Sequence, residues 1–378
     1  MHDAKQVVQE LLQRADIQIN GTRPWDIQVH DERFYTRLFK NPELELGDTY
    51  VEGCWDCAQL DEAFTRIFRA DLERIVQSDK RFLYGILYNK IKSALTRIIN
   101  YQSKTKAYEV GRRHYDIGND LYQLMLDQQL NYSCAYWKNS RTLDEAQNAK
   151  LELVCQKLGL KPGMQVLDIG CGWGAFAKYA AEKYHVSVIG TTISEQQYHR
   201  ARELCQGLPI EIKMQDYRDI TDQFDRICSI GMFEHVGYRN YRRYMKVANR
   251  CLKDDGLFLL HCIGVNTSLT RTNPWIDKHI FPNGGLPSIK QIGAAIENLF
   301  IMEDWHNFGA DYDTTLLAWY ANFNQHWDTL KTKYNEEFRR MWNFYLMSSA
   351  GAFRARELQL WQIVLSKKGL PGGYLSLR

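Results

Sequence analysis

Residues 166–174, Val-Leu-Asp-Ile-Gly-Cys-Gly-Trp-Gly, join a short apolar strand to a glycine-rich loop. The strand follows a Lys-Pro-Gly turn, and we predict that a helix begins at Ala175. Glycines at 170, 172 and 174 have no Cβ, so the backbone there can pass close to a bound group. In a doubly wound sheet, ligands bind at the carboxyl ends of the strands, where this loop lies. The stretch therefore predicts an α/β fold with a ligand-binding loop.

Six further segments have the pattern of strands, and helical stretches separate most of them. The four that follow the loop most closely are residues 186–190, 210–214, 226–230 and 257–261. Alternating strands and helices are typical of a mainly parallel sheet with helices on both faces. Residues 300–304 and 360–365 can close one edge of that sheet as an antiparallel pair. The sequence thus predicts a seven-stranded, mostly parallel sheet.

Length and charge exclude some classes of protein. The 378 residues suggest two domains or one large one. The chain has 48 Lys and Arg against 45 Asp and Glu, a net charge of +3, which gives no indication of nucleic-acid binding. No apolar run approaches the ~20 residues needed to span a bilayer. Since the first residues also lack the apolar core of a signal peptide, we expect a soluble, cytoplasmic protein. Cys54 and Cys57 form a single CxxC without the second one that a zinc ribbon needs, so we expect no metal site.

The N-terminal third shows a reversal of charge. Residues 1–79 have a helical pattern, and within 41–79 there are ten acidic and three basic residues. Residues 80–113 carry nine Lys or Arg and one acid, Glu109, beside an apolar stripe at helical spacing. Such a basic amphipathic helix suits an anionic membrane surface, although a core-facing helix with solvated flanks has the same pattern. We predict a helical N-terminal, lipid-docking domain over 1–100 and a linker over 101–110.

The remaining residues, 111–378, are predicted to form the catalytic domain, with a helical insertion at 312–356. Its loop has the spacing G-x-G-x-G after Asp168, whereas a nicotinamide dehydrogenase would have G-x-G-x-x-G. The arrangement resembles motif I of S-adenosylmethionine-dependent methyltransferases, which implies a Rossmann-like fold. Most such enzymes end the second strand with an acid that binds ribose. Here that position holds no acid, so we assign ribose recognition to the Thr192 region and Gln197.

After the third strand, Asp216 is placed to accept a hydrogen bond from the adenine amine, and Tyr217 is placed to stack on the ring.

Further motifs resemble one family, the cyclopropane-fatty-acyl-phospholipid synthases, and more distantly the mycolic acid cyclopropane synthases. The matching segments are residues 114–122, 132–137, 167–174, 231–237, 260–264, 281–284, 304–313 and 351–356. Residues 47–53 look like part of the smaller domain of the bacterial lipid enzymes, which the mycolic enzymes lack. The resemblance therefore implies a phospholipid substrate.

The resemblance implies transfer of a methylene group from S-adenosylmethionine to the cis double bond of an unsaturated acyl chain, with closure of a cyclopropane ring. An alkene is a poor nucleophile, so the donor must be held close and in line. The resulting carbocation requires a dry pocket, because water would trap it as an alcohol. A base must then remove a proton.

By resemblance, that base is a bound bicarbonate ion. Its pocket would comprise Cys134, Glu234, His261, the backbone at Ile263, and Tyr312. Thiol, imidazole and phenol groups can donate to a small oxyanion, and we assign Glu234 to accept the bicarbonate O–H. The cofactor contacts expected from the motifs are Tyr132, Ser133, Asp168, Gly170, Cys171, Gly172, Gly174, Thr192, Ile193, Gln197, Asp216 and Tyr217. Taken alone, His261 could be a satisfied core histidine and Cys134 a buried thiol.

Some alternatives remain open. Ser349 stands where some relatives place cysteine, so covalent catalysis there is not expected. Methylation of the alkene to a branched or methylene chain would use the same first step. A methyltransferase for soluble amines and a non-catalytic lipid-binding protein are more remote. The expected partners are a phospholipid bilayer surface, its unsaturated acyl chains and a second copy of the chain. Such an enzyme would lie peripherally at the inner face of the cytoplasmic membrane.

Overall fold

The computed structural model describes residues 3–82 and 118–378. Most of the basic segment 80–113, the linker predicted at 101–110 and the start of the matching segment 114–122 lie outside the described residues. The described chain forms two compact units. The first contains residues 3–82, 270–282 and 316–358, and the second contains 118–269, 283–315 and 359–378. Residues 316–356 of the predicted insertion belong to the first unit, and the domain division predicted near residue 100 stays a prediction.

The strands, in chain order, are β1 Gln28–Val29, β2 Trp55–Asp56, β3 Gln165–Ile169, β4 Ser187–Thr192, β5 Ile210–Met214, β6 Phe224–Ile230, β7 Leu252–Val265, β8 Ile301–Asn307 and β9 Leu358–Ser366. The α-helices are α1 Ala4–Gln13, α2 Arg33–Lys40, α3 Pro42–Val51, α4 Leu60–Arg69, α5 Leu72–Ser78, α6 Asn119–Met125, α7 Leu143–Lys157, α8 Ala175–Tyr184, α9 Glu195–Leu204, α10 Tyr241–Cys251, α11 Pro274–His279, α12 Ile289–Ile296, α13 Ala310–Gln325, α14 Trp327–Leu330 and α15 Glu336–Arg354. Short 3₁₀ turns include Tyr217–Asp219 and Phe233–His235.

The second unit is built on a seven-stranded sheet in the order β5-β4-β3-β6-β7-β9-β8. β3 pairs in parallel with β4 and β6, and β8 pairs with β9 in antiparallel register. The predicted α/β class, the seven strands and the antiparallel edge pair are therefore confirmed. β7 is much longer than the predicted segment 257–261.

The strands at the centre of the sheet are buried on both faces. In β7, Phe258 and Leu260 pack in one apolar cluster, while Leu257 and Leu259 pack in another. Because successive side chains of a strand point to opposite faces, this alternation places one core on each side of the sheet. His261 continues the row of Leu257 and Leu259 at the carboxyl end of the strand.

In the first unit, α15 packs against α3 and α4. Gly351 on α15 lies close to α4, since a Cβ there would lie 2.6 Å from Phe64 Cβ and 2.7 Å from the Asp61 carbonyl oxygen. Arg340 on the same helix donates to the carbonyl oxygens of Tyr50 at 2.6 Å and Trp55 at 2.8 Å. α15 is therefore fixed to the N-terminal helices by close packing and by charged hydrogen bonds.

Across the described part of the chain, no helix is both long enough and apolar enough to cross a membrane.

We predict that Gly351→Ala lowers the free energy of unfolding by ~1–3 kcal/mol, because the added methyl overpacks the contact with α4. Gly293→Ala is the matched control, since a Cβ on this α12 glycine meets no described atom within 4 Å. Alanine is the better helix former, so the control should gain up to ~1 kcal/mol. Urea unfolding measures both, and an equal gain in stability for the two variants would contradict the packing.

Candidate active site

The glycine-rich loop connects β3 to α8. Gly170, Gly172 and Gly174 have φ angles of +82°, +54° and +87°, which side-chain-bearing residues rarely adopt. The backbone N–H groups of Gly170 and Cys171 both donate to the carbonyl oxygen of Thr191 at 2.9 Å. These two bonds fix the loop to the carboxyl end of β4.

Of the three glycines, only Gly172 borders open space. A Cβ on Gly170 would lie 2.6 Å from Met232 Cγ, and one on Gly174 would lie 2.9 Å from Cys205 Sγ. A Cβ on Gly172 would meet no atom of the described residues within 4 Å. The loop therefore forms a cradle in which a ligand can approach the backbone at Gly172.

Several polar residues lie at the carboxyl end of β4 and just after it. Thr192, Ser194 and Gln197 are buried, and Ile193 is half-buried. Thr192 Oγ1 donates to Gln197 Oε1 at 2.9 Å and accepts from the Ser194 N–H at 3.2 Å. The amide nitrogen of Gln197 can donate to a ribose hydroxyl, and the second lone pair of its amide oxygen can accept from one.

Asp216 and Tyr217 lie after β5, as the sequence placed them. The Asp216 carboxylate, which is 2% exposed, accepts from the N–H and Nη1 of Arg218 at 2.9 and 2.8 Å. Each of its oxygens has a second lone pair, so acceptance from an adenine amine stays open. The Tyr217 ring is buried, and its centroid lies 4.9 Å from that of Tyr244. Stacking of Tyr217 on adenine stays a prediction.

Asp168 lies in the sheet beneath the loop and is 2% exposed. The Cys228 thiol on β6 donates to its Oδ1 at 3.4 Å. Burial raises the pKa of Asp168 to about 7, while the bond from Cys228 and the charge of Lys150 act in the opposite direction. Asp168, on the strand that leads into the loop, is thus held by a hydrogen bond from the neighbouring strand β6.

Glu234 lies in the 3₁₀ turn Phe233–His235 that follows β6. Its Oε1 accepts the Ile263 N–H at 2.7 Å, and its Oε2 is buried without a hydrogen-bond partner among the described residues. Burial raises the pKa of Glu234 to about 7. Since Met232, two residues earlier, faces Gly170, this turn lies directly beside the glycine cradle.

His261 lies near the end of β7, and the Gly231 N–H donates to its carbonyl oxygen at 2.9 Å. Gln362 Nε2 lies 3.2 Å from its Nδ1. The Nε2 atom of His261 is buried and has no hydrogen-bond partner among the described residues. Burial, followed by the charges of Lys150 and Lys157, lowers the pKa of His261 well below its ordinary value, so the ring is neutral.

Cys134 and Tyr312 are connected through α13. Cys134 is fully buried, burial raises its pKa well above the ordinary value, and its thiol donates to the Ala135 carbonyl oxygen at 3.2 Å. Thr315 on α13 accepts from the Ala135 N–H at 3.2 Å, and Asp311 accepts from the Trp137 N–H at 2.7 Å. The helical turn that carries Tyr312 is therefore anchored to the segment that carries Cys134.

Phe308 links this segment to β7. Its ring centroid lies 5.3 Å from that of Tyr136 and 5.9 Å from that of His261. The five residues predicted for the oxyanion pocket thus lie on elements joined by direct contacts within the second unit.

The sequence analysis did not predict a buried hydrogen-bond network that holds the segment 131–134. Lys150 on α7 is 1% exposed, and its ammonium donates to Asn131 Oδ1 at 2.8 Å and Ser133 Oγ at 3.0 Å. Gln147, one turn earlier, donates to the Ser133 carbonyl oxygen at 2.9 Å. The signal available in the sequence was that Gln147 and Lys150, both polar, fall among the apolar positions of α7 that face the interior. They hold the predicted cofactor contact Ser133, while the ring of Tyr132 packs on Tyr122 at 5.2 Å.

Lys150 also places a cation in this dry region. Burial lowers its pKa to about 8, and the carboxylates of Asp127 and Asp168 act against that change. Asp127 in turn accepts from the backbone N–H and the side-chain Nδ2 of Asn131, each at 2.8 Å. Lys150 therefore supplies positive charge near the buried thiol and imidazole.

Comparison with known proteins identifies the family. The sequence model of the family described as mycolic acid cyclopropane synthetase matches residues 102–363. The chain is 52% identical over 361 residues to cyclopropane-fatty-acyl-phospholipid synthase of Escherichia coli, with 96% of this chain and 93% of that protein covered. It is 36% identical to cyclopropane mycolic acid synthase 2 of Mycobacterium leprae, with 68% and 94% covered.

Solved structures agree with the sequence matches. The cyclopropane synthase MmaA2 from Mycobacterium tuberculosis is 32% identical, with a TM-score of 0.65 and 69% of this chain and 98% of that chain covered. A mycolic acid cyclopropane synthase, CmaA1, solved with SAH and CTAB has 33% identity, the same TM-score and the same coverage. The resemblance in the motifs is confirmed: the chain belongs to the mycolic acid cyclopropane synthetase family and is an S-adenosylmethionine-dependent enzyme of the cyclopropane synthase type.

Proposed function

We propose that this enzyme transfers a methylene group from S-adenosylmethionine to the cis double bond of unsaturated phospholipid acyl chains and forms a cyclopropane ring. The similarity to the Escherichia coli phospholipid enzyme extends over 96% of this chain, whereas the mycolic relative covers 68%. The observation that carries the proposal is structural. Glu234 Oε2 and His261 Nε2 are buried without partners in the described chain, and the Glu234 turn adjoins the glycine cradle.

The cradle suits S-adenosylmethionine, which would supply the activated methyl group. Gly172 leaves room for the ligand, Gln197 can donate to the ribose, and Asp216 can accept from the adenine amine. We assign Ser133, whose hydroxyl accepts from Lys150, to the methionine end. The chain thereby holds the donor on a rigid sheet edge, and such positioning can account for ~7–11 kcal/mol of the activation barrier.

The pocket suits a bicarbonate ion, which would supply the base for ring closure. In its neutral form with a proton on Nε2, His261 donates, and ionised Glu234 accepts the O–H that distinguishes bicarbonate from a bare oxyanion. The Cys134 thiol, which donates to the Ala135 carbonyl oxygen in this structure, would have to turn from that acceptor to donate to the ion, and the Tyr312 phenol is the remaining donor that the motifs imply. The buried ammonium of Lys150 lowers the electrostatic cost of placing an anion here, since it is close enough to depress the pKa of His261.

Burial of the pocket residues has a second consequence. Cys134, His261 and Phe308 are all buried, which supports a reacting region from which water is excluded. Exclusion of water protects a carbocation from capture as an alcohol. The aromatic rings of Tyr136 and Phe308 can stabilise positive charge, by ~2 kcal/mol or more where desolvated.

A phospholipid substrate requires the enzyme to meet a bilayer. We propose that residues 1–100 dock on the membrane surface and that residues 111–378 form the catalytic domain, with peripheral attachment at the inner face of the cytoplasmic membrane. The homodimer expected from the resemblance stays a prediction.

The direct test uses the protein with S-adenosylmethionine and vesicles of unsaturated phospholipid, with bicarbonate added back after its removal. We expect each modified acyl chain to gain one CH2, to lose its alkene protons in NMR and to show ring-methylene protons, with a rate that depends on bicarbonate. The same mass gain with a branched or methylene alkene would establish the alternative reaction. No mass gain would contradict both.

Gly172→Ala tests the cradle. The new methyl would occupy the space assigned to S-adenosylmethionine, so we expect the dissociation constant for the cofactor, measured by calorimetry, to rise at least tenfold. Gly159→Ala is the matched control, because Gly159 has a similar φ of +57° and is likewise surrounded by open space within the described chain. Both variants carry the same backbone strain of ~1–2 kcal/mol. Equal cofactor affinity in the two variants would overturn the assignment.

A further inference from the structure

Gln362 on β9 faces His261 on the adjacent β7. The two side chains are 0% and 1% exposed, and Gln362 Nε2 lies 3.2 Å from His261 Nδ1. Each side chain lies on the face of its strand that contributes to one apolar cluster. His261 follows Leu257 and Leu259 on β7, and Gln362 precedes Val364 on β9. The pair is therefore held by two neighbouring strands of a rigid sheet, on the same face.

An amide nitrogen can only donate a hydrogen bond, so Nδ1 of His261 must accept. A neutral imidazole carries one proton, which then lies on Nε2. That atom is the buried one for which the described residues provide no partner. The contact with Gln362 thus leaves His261 with a single N–H, on the ring nitrogen that Gln362 does not occupy.

Packing alone would favour an apolar residue at the position of Gln362 on β9. Its sequence neighbours Trp361, Ile363, Val364 and Leu365 are all buried and apolar. Burial of an amide is unfavourable unless the amide is hydrogen-bonded, and Gln362 Oε1 has no partner in the described part of the structure. The bond to His261 is thus the polar contact that the buried side chain makes in the pocket.

We propose that Gln362 is a positioning residue that fixes His261 in the Nε2-protonated tautomer, so that Nε2–H donates to the oxyanion that completes the site. This inference rests on the proposed function for the identity of the anion. The tautomer itself depends only on the contact between the two side chains, so it can be measured without substrate, cofactor or bicarbonate.

The experiment is nitrogen NMR of the full chain labelled with ¹⁵N-histidine, without ligands, with the His261 signals assigned by their loss in His261→Asn. We expect Nδ1 of His261 to resonate as an unprotonated ring nitrogen and Nε2 as a protonated one. In Gln362→Met, which keeps the length of the side chain and removes the donor, the proton should redistribute towards Nδ1. A proton on Nδ1 in the unaltered chain would overturn the proposal outright, even if the variant fails to fold.

Gln359→Met is the matched control. Gln359 is a buried glutamine on the same strand, and its Oε1 accepts from Asn307 Nδ2 at 2.9 Å instead of contacting His261. The His261 signals should be unchanged in this variant. An equal change of those signals in both variants would show a general disturbance of β9 and contradict a specific role for Gln362.

Kinetics separate this inference from the proposed function. For Gln362→Met we expect the bicarbonate KM to rise at least tenfold while S-adenosylmethionine affinity changes less than twofold. An unchanged tautomer with an unchanged bicarbonate KM would overturn the positioning role. A shifted tautomer in an enzyme whose activity never depends on bicarbonate would support the role of Gln362 and refute the proposed base.

Discussion

The chemistry proposed for this enzyme depends on two buried polar atoms, one in Glu234 and one in His261. Glu234 Oε2 and His261 Nε2 lack partners among the described residues, whereas the other end of each side chain is fixed by a hydrogen bond. Unpaired polar groups in a dry interior are unfavourable, and such cost is typical of sites that await a ligand. A small anion that carries its own O–H needs one acceptor and one donor of this kind.

Glu234, His261 and the glycine-rich loop are all connected to the same sheet. Glu234 reaches β7 through the Ile263 N–H, and Met232 in the same turn limits the space at Gly170. Lys150 donates a hydrogen bond to the Ser133 hydroxyl, and the Thr315 hydroxyl accepts one from the N–H of Ala135. These bonds connect the elements that carry the residues proposed for the cofactor and for the base.

The sequence predicted the parts whose signals are local. The strand and glycine loop at 166–174 and the seven strands follow from apolar runs and turns, and the pocket residues were assigned by motif. Lys150 and Gln362 were missed because each lies in a regular helix or strand, and its role depends on a partner distant along the chain, Ser133 or His261. The grouping of residues 316–358 with the N-terminal helices was also missed, since the close approach of Gly351 to Phe64 has no local signature.

We propose that ionised Glu234 accepts a hydrogen bond from the bicarbonate O–H during turnover, and the pH dependence of kcat is the sharpest test of this role. Burial raises the pKa of Glu234 to about 7, so the ionised form predominates only above that pH. At saturating S-adenosylmethionine, kcat should rise with pH through about 7. In Glu234→Gln, kcat should fall at least a hundredfold and lose that rise, with cofactor affinity nearly unchanged. If kcat and cofactor affinity fell by equal factors and the pH profile kept its shape, the account would be contradicted.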